Sequence, residues 1–455
     1  MIFSTVFKRF AEQSPIPVIA RGLMERVLNP RQLDQWFEQN AGGQYTRELL
    51  FSSIFDIMSV VVCGIRKTVH AAYQAGKENM SVSVTSVYNK LNGLEIQTSA
   101  QLVRYAAREL QPIIEKLGGA QDPLLPGFRV KILDGNAIKA SEHRLGDLRA
   151  TASGALPGKS LVVFDPRLRM PIEVFPCEDG HAQERSLLAD VLATVEAQEV
   201  WIADRNFCTR DFLLGIAARK AFFVIREHKN LPWQAVGPET FIGLSETGEV
   251  FEQAIEISDE TGTKHTFRRI RVALKTATRD GDKNLFILSC LPEGAADAAK
   301  IAALYRKRWT IETAFQDLAV HLNSEINTLG YPPAALFGFC VALIAYMIMA
   351  TVKAAIASVH GTETVETKIS GYYLADEISG TYRGMNVAIP PEEWAPFRYI
   401  SLNTLVALLK QLSANIKLSA FLKHPRGPKK KTVKPKLDPK HPHVSTARIL
   451  AMRKK

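Results

Sequence analysis

The hydrophobic period of this chain changes near Phe128, and that change constrains the fold more than any other feature. Before it, apolar residues recur at helical spacing. Leu49, Ile54, Ile57, Val60, Val61 and Ile65 mark a helical segment over 45–74, and Val84, Val87, Tyr88 and Leu91 fall at i, i+3, i+4, i+7. A third helix is expected over 99–117, with Pro112 placed to kink it. After Phe128 come short apolar runs at 130–133, 161–164, 170–175, 200–203 and 221–226, with helices expected over 182–197 and 211–220. Strands alternating with helices make a mixed α/β sheet. Residues 228–291 are strand-rich without helical period and read as a β insertion. The fold class expected is therefore α/β, with an all-α N-terminal domain ahead of the sheet.

The chain of 455 residues is too long for one ordinary domain, and its 46% hydrophobic content is ample for buried cores. The expected divisions are a helical N-terminal domain (1–122), a core (123–227 and 292–352), the β insertion (228–291), a C-terminal helical region (353–420) and a tail (421–455). Cys63, Cys177, Cys208, Cys290 and Cys340 are scattered without a Cys-x-x-Cys pair, which argues against a zinc site and a disulfide framework. The N-terminus has no apolar stretch with a cleavage site, so no signal peptide is expected. Residues 327–352 carry no charge, yet Pro332, Pro333 and Gly338 interrupt them. A buried core helix fits better than a membrane span. These features together imply a cytoplasmic protein.

The net charge of +11 is uneven: beyond Ala420 stand nine Lys and three Arg against Asp438 alone. The preceding 420 residues are electrically neutral. Such a tail engages polyanions, nucleic acid first among them, and Lys429, Lys430 and Lys431 are its densest contacts. Five prolines between Pro425 and Pro442 mark it as disordered. Thr85, Ser86, Asn89 and Lys90 form the outward face of the helix over 84–91. Short polar groups with one Lys suit a helix read into a DNA groove and also an ordinary bundle surface.

Three acids stand out. Asp134 and Asp204 each follow an apolar strand directly, and functional side chains gather beyond the carboxyl ends of strands. Glu312 shares a helical face with Tyr305 and Arg308, at i, i+3 and i+7. Each has an ordinary explanation when taken singly: a cap for either Asp, a surface ion pair for Arg308 and Glu312. As a set, three converging carboxylates repel unless cations neutralise them. Hard oxygen ligands select Mg²⁺ or Mn²⁺, and two such ions can activate an attacking oxygen and stabilise a leaving one at a phosphodiester.

The ordered set Leu133-Asp134-Gly135-Asn136, Ala203-Asp204-Arg205-Asn206-Phe207 and Tyr305-x2-Arg308-x3-Glu312 resembles the DDE transposases of bacterial insertion sequences, more narrowly the insertion-sequence-four family. The resemblance spans roughly residues 128–350. It implies an RNase H-like core with a β insertion between the second Asp and the Glu. It further implies that Asp134, Asp204 and Glu312 bind two Mg²⁺ (or Mn²⁺) ions, and that Tyr305 and Arg308 hold DNA phosphates. The implied activity is cleavage at element ends and 3′-hydroxyl strand transfer into target DNA, by a homodimer in a synaptic complex. The implied setting is the bacterial nucleoid. The family pattern has a Lys seven residues after the Glu, where this chain has Ala319. Other readings are a related nuclease that cuts without joining, and a non-catalytic DNA-binding descendant. Trp233 could stack a flipped base or pack a hairpin. His181 could be an extra ligand or a turn residue. Trp309 is assigned to packing.

Overall fold

The computed structural model describes residues 4–43, 48–143, 145–149, 153–278, 281–424 and 443–453. Helices come first: α1 (Thr5–Gln13), α2 (Pro15–Val27), α3 (Pro30–Asn40), α4 (Phe51–Val62), α5 (Val69–Gly76), α6 (Val84–Asn92) and α7 (Ile96–Leu117). Ser4, Asn29, Thr68 and Ser83 cap α1, α3, α5 and α6 by accepting a backbone N–H from the first turn. The expected single segment over 45–74 is two helices. Gly64, at φ 72°, turns the chain after α4, a conformation that favours glycine. α7 continues through Pro112 without ending there.

The strands follow: β1 (Arg129–Ala137), β2 (Ala155–Leu156), β3 (Lys159–Asp165), β4 (Met170–Cys177), β5 (Glu199–Ala203) and β6 (Phe222–Arg226). β7 (Gln234–Ala235), β8 (Thr240–Leu244), β9 (Gly248–Ser258), β10 (Lys264–Leu274) and β11 (Asn284–Ser289) come next, and β12 (Val444–Ser445) lies near the C-terminus. Ten of them form one sheet in the order β4-β3-β1-β5-β6-β11-β10-β9-β7, with β8 paired to β9. β1, β5 and β6 run parallel, while β3 and β4 pair antiparallel on β1's other side. The β-rich insertion does not stand apart. β11 pairs with β6, and the sheet continues through it.

The remaining helices are α8 (Leu188–Leu192), α9 (Arg210–Ala218), α10 (Ala298–Arg306), α11 (Trp309–His321), α12 (Pro332–His360), α13 (Thr362–Lys368), α14 (Gly371–Ala388), α15 (Pro396–Tyr399), α16 (Leu402–Ala414) and α17 (Thr446–Arg453). The helix expected over 182–197 shrinks to α8, preceded by a tight turn at Glu184–Leu187. Successive strand residues face opposite ways, and both faces of the central strands are covered. Ile132, Val162, Phe164 and Val174 belong to the core shared with α7 and α12, and Leu133, Val163, Trp201 and Phe223 to the core under α8 and α9. Each such side chain contributes about 1.5–3 kcal/mol by burial.

α12 is long and apolar enough to cross a membrane, but 83% of its most apolar stretch is buried inside the protein. It packs against α7, α4, α2 and α16, so the N-terminal and C-terminal helices share one core. Buried Glu25 of α2 joins them further by pairing with Arg21 and with Arg398 of α15. The tail expected to be disordered contains β12 and α17. β12 pairs parallel with β2, and Arg448 meets Asp179 at 2.7 Å. Lys429, Lys430 and Lys431 lie outside the described residues.

Candidate active site

The site is placed first by strand register. In the parallel pair β1/β5, Leu133 is opposite Ala203. The next residue on each strand is an aspartate, so Asp134 and Asp204 emerge side by side where the strands end. Gly135 donates its N–H to Asp134 Oδ1 at 2.9 Å. Asp204 accepts from the Arg205 N–H and so caps the short turn Arg205–Phe207. Capping and membership of the set are compatible, since one oxygen is spent on the turn and one is left.

Glu312 comes from the other side. The helical face expected to carry Tyr305, Arg308 and Glu312 is divided between two helices, with a tight turn at Lys307 and Arg308. There the N–H of Arg308 bonds the carbonyl of Tyr305, and that of Ile311 the carbonyl of Arg308, three residues back in each case. The Arg308 backbone stays in the right-handed helical region, which keeps Tyr305, Arg308 and Glu312 on one side despite the break. Arg308 Nη1 donates to Asp134 Oδ2 at 3.0 Å, and Nη2 meets Glu312 Oε1 at 2.6 Å. One buried guanidinium therefore ties the strand carboxylate to the helix carboxylate.

The electrostatics follow from that crowding. Burial pushes the Asp134 carboxyl up to about 6, against the pull of Arg308 and the Gly135 N–H, with Asp204 and Glu312 adding to the rise. Burial likewise pushes the Tyr305 phenol up to about 12, with Arg308 opposing and Asp204 reinforcing. Burial alone would lower Arg308, but Tyr305, Asp134 and Glu312 around it hold it above its ordinary value. Among the described residues no three His, Cys, Asp or Glu side chains are gathered closely enough to hold an ion together. The Arg308 guanidinium pairs with both Asp134 and Glu312 and supplies positive charge among the carboxylates, whose donors are all oxygen, the type that a hard divalent ion takes.

Two residues that sequence reasoning passed over complete the frame. Glu184 Oε2 accepts from Asn206 Nδ2 at 2.5 Å, and Arg185 Nε donates to the Asn206 carbonyl at 2.6 Å. A methyl group added at Gly135 would fall 2.1 Å from Glu184 Oε1, so the glycine after Asp134 makes room for the side chain that holds the turn after Asp204. No periodicity pointed to Glu184.

Residues 126–348 match the transposase DDE domain. The match supports a DDE transposase, and it contains Asp134, Asp204, Arg308 and Glu312. The protein y4zB of Sinorhizobium fredii (strain NBRC 101917 / NGR234), named as a candidate transposase, is 25% identical over 203 residues. Those residues are 44% of this chain and 55% of y4zB, so the chain spans about half the length of that relative. Among solved structures, a piggyBac transposase in a synaptic complex with hairpin DNA aligns over 84% of this chain and 87% of its own, at 9% identity and a TM-score of 0.37. That likeness is too slight to argue from.

The other expected DNA contacts are distributed differently. On α6, Thr85 and Asn89 are exposed, while Ser86 shares a hydroxyl contact with Ser83 and Lys90 lies over the Phe37 ring at 4.9 Å. The Trp233 Nε1–H is spent on Glu227 at 2.8 Å, and Arg269 covers its ring at 4.7 Å, so it packs the insertion. His181 is exposed, and its backbone N–H bonds Asp179 as a turn residue does. Trp309, expected to pack, is 56% exposed.

Proposed function

We propose that the protein is a metal-dependent DNA transposase of the insertion-sequence-four type, cleaving at element ends and joining the freed 3′-hydroxyl to target DNA. The observation that carries this is the pairing of Leu133 with Ala203, which sets Asp134 and Asp204 side by side with Glu312 tied in through Arg308. The strand order β4-β3-β1-β5-β6, with its parallel centre and antiparallel edge, supports an RNase H-like core.

Asp134, Asp204 and Glu312 would hold Mg²⁺ or Mn²⁺, two ions by the family resemblance, whose charge stabilises the attacking and leaving oxygens of the phosphodiester. The chain's own residues do the rest. Arg308 carries a full positive charge and two N–H groups for a phosphate oxygen once Asp134 or Glu312 turns to another cation. Tyr305, protonated throughout the neutral range, offers an O–H donor beside it. Glu184 and Asn206 keep the Asp204 turn fixed. Synapsis of two ends implies a homodimer in the DNA complex, and a DNA substrate implies a place with the nucleoid in a bacterial cytoplasm.

The test is a strand-transfer assay on DNA that carries the genomic sequences on either side of the reading frame, searched first for inverted repeats. Cleaved ends joined into a plasmid support transposition. Cleavage without joining would replace this reading with a nuclease.

A further inference from the structure

A cavity of about 890 Å³ opens on the far side of the helix that carries Glu312, and the chemistry described above makes no use of it. Its walls come from α11, α12, α13 and α14, from the turn after β3, and from the end of α16's following segment at Lys423 and His424. The volume is that of a small-ligand site. Two features make it more than a packing gap.

The first is charge. Four full cations line it (Arg169, Arg306, Lys353 and Lys423) against two carboxylates, Asp317 and Glu366. Arg169 pairs with the Glu366 carboxylate, Arg306 with Glu246, and Lys423 Nζ donates to the backbone carbonyl of Glu366 at 2.6 Å, so Lys353 is the cation left facing the space. Asp317 stands 3.9 Å from His321 Nδ1. Lys353 makes no hydrogen bond or ion pair among the described residues, and burial lowers its pKa, with Lys423 and Arg169 adding to the fall and Asp317 opposing. A lysine held in that way gains most from an incoming anion. The second feature is aromatic. Trp309 and Tyr372, 56% and 48% exposed, stand at the cavity, and Tyr372 meets Tyr373 edge-on at 5.5 Å. Flat rings beside clustered cations are what a nucleotide needs: a face for the base and charge for the phosphate.

Position selects the source of that nucleotide. Thr310 and Thr313 line the cavity from α11, on either side of Glu312 in sequence. A helix is about 10 Å across, at most about three nucleotides of strand even at the compact duplex rise of about 3.4 Å. We propose that this cavity holds a nucleotide of a single DNA strand that runs past the Glu312 site, with its phosphate on Lys353 and its base against Tyr372 or Trp309. The choice of DNA rests on the transposase reading of the neighbouring site.

The experiment measures fluorescence anisotropy of the full-length protein with a labelled ten-residue oligothymidine and with a blunt random duplex. Lys353→Met and Tyr372→Ala are each expected to weaken oligothymidine binding by about tenfold while changing duplex binding by less than about twofold. Melting temperatures measured alongside guard against misfolding, and Tyr372→Ala removes an exposed ring. Thymidine 5′-monophosphate and inorganic phosphate are expected to compete poorly. Unchanged oligothymidine affinity in both variants overturns the proposal, and so does full displacement by either small anion at the concentration at which oligothymidine saturates. Asp204→Asn separates the two readings, because it is expected to bind oligothymidine normally while losing Mn²⁺-dependent plasmid nicking. If the wild-type protein fails to nick while the cavity variants still lose oligothymidine, the transposase reading falls and the nucleotide site stands.

Discussion

Asp134 and Asp204 are held in one way and Glu312 in another. The two aspartates sit at the ends of adjacent buried parallel strands, where backbone register decides their position before any side chain is chosen. Glu312 lies one turn into a helix that begins at the turn of Lys307 and Arg308, its side chain 44% exposed, and what draws it to the others is the Arg308 guanidinium. Backbone hydrogen bonds across a covered sheet are stiff, whereas one i, i+4 ion pair is worth a few tenths of a kcal/mol on an open surface. The strand half of the site is therefore preformed and the helix half adjustable.

That contrast predicts unequal tolerance. Moving a carboxylate by one methylene group should be far more damaging on the strand than on the helix. Asp204→Glu should lower Mn²⁺-dependent nicking by about 10³-fold, the upper end of what the loss of one oriented donor costs in comparable sites. Glu312→Asp should retain activity within about a hundredfold by letting α11 shift. Equal losses in the two variants would break the comparison, and initial nicking rates on supercoiled plasmid decide it.

The link itself comes next. Arg308→Ala removes the tie and a phosphate donor together. Affinity for end DNA should fall by about 1.5–3 kcal/mol, the cost of a charged hydrogen bond. Gel-shift titrations measure it, and affinity unchanged within error would mean that DNA never reaches Arg308.

A smaller effect concerns the crowding. The Asp134 carboxyl titrates at about 6 in the folded protein against an ordinary value of 3.8. A raised carboxyl costs stability at every pH above its unfolded value, in full above its folded value. Asp134→Asn should thus stabilise the protein in EDTA at pH 8, by on the order of 1–3 kcal/mol less whatever Arg308 loses. The gain should fade as pH drops below the ordinary value of 3.8 and vanish well below it, where both states carry the proton. Thermal melts at pH 8 and at about pH 2.5 test this, and a gain that persists at the lower pH would not come from charge.

Much of this arrangement was legible in the sequence. Leu133-Asp134 and Ala203-Asp204 announced themselves because fully buried strands are short and continuous in apolar residues, so an acid at the boundary stands out. The i, i+3, i+7 spacing of Tyr305, Arg308 and Glu312 held because the turn at 307–308 keeps helical dihedral angles. The break itself was invisible, since no Gly or Pro causes it. Glu184 was illegible because its role is a contact across the fold, with Asn206 and Gly135, that leaves no local pattern. Trp309, assigned to packing, is exposed for the same reason, because exposure is decided by what packs on a ring. The stretch around Tyr372 carries no periodic or motif signal, and it lines the cavity beside the helix that bears Glu312.

The smallest expected effect is at Ala319, exposed on α11 seven residues after Glu312. Ala319→Lys should tighten binding to cleaved-end DNA by about 0.2–1 kcal/mol, an exposed charge interaction. If affinity stays the same or falls in a gel shift, another cation already serves that phosphate.

The most direct measurement compares Asp134→Asn, Asp204→Asn and Glu312→Gln with the wild-type protein for two readouts: binding to an end duplex and cleavage of it in Mg²⁺. Each substitution conserves shape and removes one charge. The three carboxylates acting as a set predict end binding within about threefold of wild type and no cleavage in any of the three. Cleavage at the wild-type rate by any one variant would remove that residue from the site and contradict the account.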